Sequence, residues 1–165
     1  MSGASVTVDD KAVVEALRDL QRRVGDPSPA LNAIGQLLVT ETDLAFRGER
    51  DPWGRSWSAL SPVTAKKRRG STSQILSDTG RLRNSVNARV QGDSVTVGTN
   101  VEYAAPQQFG AKKGAFGSTR RGAPIPWGDI PARPFLPTRD GRVDLPEGTR
   151  LDILALIAKA LDVAS

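Results

Sequence analysis

The chain has 165 residues, a formal net charge of +5, no Cys and no His. That length supports one domain with its own core; the absence of Cys excludes disulfides and thiolate metal sites, and the absence of His removes the usual general base and the commonest transition-metal ligand. No run approaches the roughly eighteen apolar residues of a membrane span, and Met1-Ser2-Gly3-Ala4-Ser5 leads into polar text without a secretory pattern, so the expectation is a protein made in a reducing cytoplasm, with no membrane partner and no enzymatic machinery.

Asp9 or Asp10 caps a first helix, whose apolar residues Val13, Ala16, Leu17, Leu20 and Val24 recur at spacings of three and four, and Gly25 closes it. Ser28-Pro29 is a second start signal, a cap followed by a proline at the first helical position. The helix that follows carries Leu31, Ile34, Leu38, Leu44 and Ala45 to about Phe46, slightly weakened by Gly35. No period survives from there, and residues 48–74 read as an extended, basic arm. From Arg47 to Arg83 nine basic residues stand against three acids (Glu49, Asp51 and Asp78), a local excess of six positive charges. Such a middle suits a polyanion or an acidic partner surface, or else a solvated loop.

Asp78-Thr79-Gly80 reads as the cap of a short helical turn that leads into a hairpin over residues 85–99. Around a two-residue Gly92-Asp93 loop, Gln91 faces Ser94, Val90 faces Val95, Ala88 faces Val97 and Val86 faces Thr99, which puts the apolar residues of both strands on one side. Residues 103–109 begin helically and end at Gly110. Residues 111–129, rich in Gly, Pro and basic residues, read as a flexible loop. Pro131-Ala132-Arg133-Pro134-Phe135-Leu136 is extended, because a residue before Pro avoids the helical region. Pro146-Glu147 opens a last helix with a stripe of Leu151, Leu154, Ile157, Ala158 and Leu161. The fold class is α+β in a single domain over residues 1–165: N-terminal helices, a small antiparallel sheet, a C-terminal helix and long arms.

The candidate functional residues are of the interaction kind. Trp53 and Trp57 lie four apart in polar, arginine-rich text, placed either as interface anchors or as packing onto the domain. Lys66, Lys67, Arg68 and Arg69 form a basic run that fits DNA phosphates or an acidic partner, or a solvated charge run; no base-reading element accompanies them. Tyr103, Gln108, Phe109, Arg133 and Phe135 set aromatic, amide and guanidinium groups beside Gly and Pro, to position chain against a neighbouring subunit or to complete the core over the hairpin. No phosphate loop is present, since Lys112 and Lys113 precede Gly114 and no Gly-Lys-Ser/Thr run follows. The acids are scattered: Asp78 serves the turn cap, and Asp140 and Asp144 sit in turn text. No cofactor or metal is expected.

Four stretches in fixed order carry a resemblance. They are Asp51-Pro52-Trp53-Gly54 with Trp57-Ser58-Ala59-Leu60-Ser61 and Thr64; Leu76-Ser77-Asp78-Thr79-Gly80-Arg81-Leu82-Arg83-Asn84-Ser85-Val86; Val97-Gly98-Thr99 with Tyr103-Ala104 and Gln108-Phe109-Gly110; and Pro131-Ala132-Arg133-Pro134-Phe135-Leu136. Together they resemble the phage virion morphogenesis family, the tail-completion or neck proteins of Mu-like and related tailed phages. In one departure, Gln107 stands where members of that family often carry a His before the Gln-Phe-Gly. The resemblance implies a structural virion protein located at the neck or tail and assembled in the host cytoplasm. It implies a homo-oligomeric ring, six-fold or twelve-fold, that contacts connector or tail proteins and, in its lumen, the genome DNA. Two further readings stand beside it: a nonspecific DNA-binding protein, and a tail terminator or capsid assembly factor. A hydrolase would have to run on Asp, Ser or Lys alone.

Overall fold

The computed structural model describes residues 4–7, 10–68, 74–139 and 141–163. Asp9, Arg69 and Asp140, named above as a cap, a basic contact and a turn residue, lie outside the described residues. The fold is α+β. Strand β1 (Ala4–Thr7) precedes helix α1 (Lys11–Val24), which starts where Asp10 accepts the Val13 N–H at 3.4 Å and stops at Gly25, whose φ of 76° disfavours any residue with a Cβ. Helix α2 (Ser28–Gly48) begins one residue before the sequence signal: Pro27 holds the cap position, and the Asp26 carboxylate, not the Ser28 hydroxyl, takes the Ser28 N–H at 3.0 Å.

The buried stripe of α2 runs Leu31, Ile34, Gly35, Leu38, Thr42, Ala45 and Phe46. Leu44, expected in it, is exposed, and Thr42 takes the inward position because its hydroxyl returns its donor to the Leu38 carbonyl at 2.8 Å. A hydroxyl satisfied within its own helix packs like a small apolar group, which an apolar period does not register.

Helices α3 (Pro62–Lys66) and α4 (Arg81–Ser85) are single turns. Ser61 caps α3, accepting the Thr64 N–H at 3.2 Å. The cap position of α4 belongs to Gly80 in the left-handed conformation, and Asp78, expected to cap this turn, forms an ion pair with Arg68 at 3.7 Å instead.

Strands β2 (Asn87–Gln91) and β3 (Ser94–Thr99) pair as Gln91↔Ser94, Val90↔Val95 and Ala88↔Val97, the register read from the sequence. Val95, Val97 and Thr99 are buried, and Asn87, Arg89 and Gln91 are exposed, as a period of two requires. β1 pairs antiparallel with β3 on its other side, so the order is β1-β3-β2 and β3 is central. Helix α5 (Ala104–Phe109), a two-residue hairpin of β4 (Thr138–Arg139) and β5 (Arg142–Val143), and helix α6 (Glu147–Val163) complete the chain.

α2 packs against β2 and β3 and also touches α6, and α1 rests on α6. Arg150 of α6 reaches Asp10 at 3.1 Å and ties α6 to the start of α1. The buried residues of α6 are Thr149, Ile153 and Ile157; Leu151 and Ala158, expected in the stripe, face outward. On the outer side of the sheet-facing helix, Arg83 and Arg47 both pair with Asp43, whose carboxyl is held below the usual range chiefly by its hydrogen bond to Arg83.

At Gly35 α2 approaches the sheet closely. A Cβ there would stand 2.7 Å from the Cβ of Ala88 and 3.2 Å from Cγ2 of Val95, so the residue is a fit for the sheet and not a defect in the helix. Gly→Ala in an open helix gains about 1 kcal/mol. Here the Ala88 Cβ has no torsion to move it aside, and overpacking of about 1–3 kcal/mol outweighs that gain. Gly35→Ala is therefore expected to lower the melting temperature; a variant that melts higher than wild type would show that the approach there is not close.

Residues 48–68, expected as an extended arm, are folded back on the body. Asp51 closes a tight loop by accepting the N–H groups of Trp53 (3.0 Å) and Arg55 (2.8 Å), and Arg50 bridges Ser56. Glu49 accepts the Ile75 N–H at 2.6 Å with its side chain and the Trp57 N–H at 2.8 Å with its carbonyl. Carboxylates that satisfy backbone donors hold this segment, and no hydrophobic period marks them. Residues 111–129, expected as a flexible loop, trace a hydrogen-bonded excursion. Its base is the reciprocal pair Ala111–Ile130 at 3.0 and 2.7 Å, and Phe116 N to Ile125 O (2.8 Å) and Thr119 N to Ala123 O (2.8 Å) lie further out.

Candidate interaction site

Three stretches far apart in sequence meet beside Phe46 at the end of α2: residues 57–59, the end of α5, and residues 133–138. Gln108 projects from α5 into the body and is 1% exposed. Its Oε1 accepts the N–H groups of Phe135 (2.9 Å) and Leu136 (3.0 Å), and its Nε2 donates to the Leu136 carbonyl (3.0 Å) and to Thr138 Oγ1 (2.8 Å). One amide thus uses both faces to hold a segment that has no strand partner at that point. Gly110, with φ of 77°, then ends α5; a Cβ there would meet Ile130 O and Ala132 N at 3.0 Å each, so the chain passes close to residues 130–132.

Arg133 is the second fastener. Its Nε donates to Ser58 O at 2.8 Å and its Nη2 to Ala59 O at 3.0 Å, while its own N–H donates to Gln107 O at 2.7 Å. The side chain is almost fully buried, desolvation pulls its pKa below the ordinary guanidinium value, and no carboxylate among the described residues lies within salt-bridge distance of it. Trp57 is the third: its indole N–H donates to Pro134 O at 2.8 Å and its ring meets Phe46 edge-on at 5.6 Å. Phe135, fully buried, lies 5.2 Å from the same Phe46 ring.

The residues singled out from the sequence therefore separate into two groups. Trp57, Gln108, Arg133 and Phe135 are buried within the subunit, each with its polar or aromatic face on an internal partner. Tyr103 and Phe109 stay exposed, Tyr103 with the Arg81 guanidinium 5.9 Å from its ring centroid. Trp53 is half-buried under the Arg139 guanidinium, 4.6 Å from its ring. In the basic run, Lys66 and Lys67 are exposed, whereas Arg68 turns inward to Gln74 O and Asp78 and is not part of a solvated charge run.

Sequence reasoning missed the largest exposed aromatic. Trp127 is 77% exposed, and Phe116 and Ile125 on the same excursion are exposed as well. The signal was present in Ile125-Pro126-Trp127, apolar residues in a segment with no core-facing period. Trp127, Tyr103 and Val63 of α3 line an open groove of about 940 Å³ between α3, residues 76–82 and residues 129–133. In its wall, Arg68 Nη1 and Gln107 Oε1 are buried without a hydrogen-bond partner among the described residues. Lys112 and Asp129 pair at 2.9 Å across the base of the excursion, and Asp129 is held below the usual carboxylate range mainly by that bond.

Among the described residues no group of three His, Cys, Asp or Glu side chains comes together as a metal site, and no described helix is long and apolar enough to cross a membrane. What is assembled is a set of internal hydrogen bonds and ring contacts, with an open groove nearby. No curated protein and no solved structure matches the chain. The stretches that converge on Phe46 all fall within residues 8–161, the part of the chain matched by the model of the phage virion morphogenesis family, and the chain belongs to that family.

Proposed function

We propose that this protein completes the tail or joins head to tail as a neck component, working as a closed ring of identical subunits. Membership of the family gives it a role in building phage virions. The finer reading is supported by one observation: a domain internally fastened by Gln108, Arg133 and Trp57 presents Tyr103, Phe109, Phe116 and Trp127 outward, apolar area disposed for contact with neighbours. Those contacts are between unlike faces, and identical subunits joined that way close into a ring when the rotation closes, six-fold or twelve-fold. Exposed Lys66 and Lys67 suit the lumen, where genome DNA passes, or an acidic neighbouring ring.

Native mass measurement of the purified chain, alone and mixed with the phage's connector and tail proteins, tests the reading. A single closed multiple of the 17.6 kDa subunit is expected in at least one of those mixtures. A monomer under every condition would overturn it, and steep salt-dependent binding to duplex DNA by that monomer would favour the nonspecific DNA-binding reading instead.

A further inference from the structure

We propose that the groove between α3, residues 76–82 and residues 129–133 docks an extended acidic segment of a different protein, one that combines a carboxylate with a large apolar side chain. The inference rests on the assembly reading only in requiring a protein partner; it does not require a ring.

Three observations specify the occupant. The first is charge: the wall carries Lys67, Arg68, Arg81 and Arg133 against Asp78 and Asp129; Arg68 already pairs with Asp78 and Arg81 with Glu102, whereas Arg133 is a nearly buried cation whose hydrogen bonds go to carbonyl oxygens. A carboxylate brought into the groove supplies the negative charge that Arg133 lacks among the described residues. The second is the pair of unmet groups. Arg68 Nη1 and Gln107 Oε1 are buried without a hydrogen-bond partner among the described residues, and both residues belong to the groove wall, so the first lacks an acceptor and the second a donor. An extended peptide offers both kinds of group, a carboxylate or carbonyl for the arginine and a backbone N–H for the glutamine. The third is the rim: Trp127 at 77% exposure and Val63 at 63% are exposed apolar walls.

The same features disfavour the other occupants. A phosphodiester strand has acceptors but no backbone N–H to offer Gln107. A second copy of this chain is a basic molecule of net charge +5, and its excursion carries Lys112, Lys113, Arg120 and Arg121, so it meets a basic groove with like charge.

The test is fluorescence anisotropy on the full chain with three labelled probes: a decapeptide alternating Glu with Leu and Phe, a matched decapeptide with Lys in place of Glu, and an oligodeoxythymidine of equal negative charge. Saturable binding of the acidic peptide alone is expected. Trp127→Ala and Lys67→Glu, both at exposed positions, should each weaken it roughly tenfold with the melting temperature unchanged, the loss expected of an interface anchor. Gln107→Leu breaks no internal side-chain bond and should weaken it as well. Absence of acidic-peptide binding, equal binding of both peptides, or insensitivity to all three variants would overturn the proposal. So would tighter binding of the oligonucleotide, and so would release of bound peptide as the protein concentration is raised, which would identify the occupant as a second copy. A ring that forms without peptide binding sinks the groove and spares the assembly reading; peptide binding by a permanent monomer does the reverse.

Discussion

Gln108→Ala is expected to destabilise the protein by about 3–5 kcal/mol and to lower its melting temperature by roughly 10 °C or more. The side chain satisfies the N–H groups of Phe135 and Leu136, the carbonyl of Leu136 and the hydroxyl of Thr138, all from a position that is 1% exposed. Truncation leaves those four groups without the amide, and each buried orphan costs about 1–3 kcal/mol unless water reaches it. Against a total stability of about 5–15 kcal/mol, that loss decides whether residues 133–138 stay docked. Gln108→Glu is the sharper variant: it keeps two acceptors for Phe135 and Leu136 but sets a carboxylate against the Leu136 carbonyl and has no donor for it. Thermal melts followed by circular dichroism measure both, and a Gln108→Ala protein that melts within about 3 °C of wild type would show that the amide is not the fastener.

Phe135→Ala and Phe109→Ala are expected to fail in opposite ways. Phe135 is fully buried 5.2 Å from Phe46, so its loss should cost about 3–5 kcal/mol in transfer and cavity energy and unfold a marginal domain. Phe109 is 52% exposed at the end of α5, so its loss should change stability by no more than about 0.5 kcal/mol while weakening assembly. The comparison needs a denaturant titration and a native mass of each variant. Should Phe135→Ala fold normally and only fail to assemble, the assignment of that ring to the core would be wrong.

The elements legible in the sequence were those set by local rules. The hairpin register follows from period two and a two-residue turn, α1 starts at Asp10 and stops at Gly25, and α6 starts at Pro146-Glu147, all residues whose chemistry is their own. β1 was not legible, because Ala4-Ser5-Val6-Thr7 is short, half polar and made a strand only by the free edge of β3, far along the chain. The same distance left Trp57 and Phe135 open between core and interface, because their common partner is Phe46, on a helix that neither adjoins. Of the candidate site, the motif residues were found but their direction was not. Whether Gln108 or Phe109 turns inward depends on the rotation of a six-residue helix, which no period can fix over so short a length.

The reciprocal Ala111–Ile130 pair gives the excursion a property of its own. With the crossing point pinned there and Gln108 and Arg133 anchored on the body side, what lies beyond is insulated from the core, like a loop of cord past a knot. Its length can change at the cost of loop-closure entropy alone, a slowly growing term, and its sequence can be rewritten without repacking a single residue around Phe46. The exposed face that Phe116, Ile125 and Trp127 present is thereby free to diverge at its own rate, while the body that carries it is held constant.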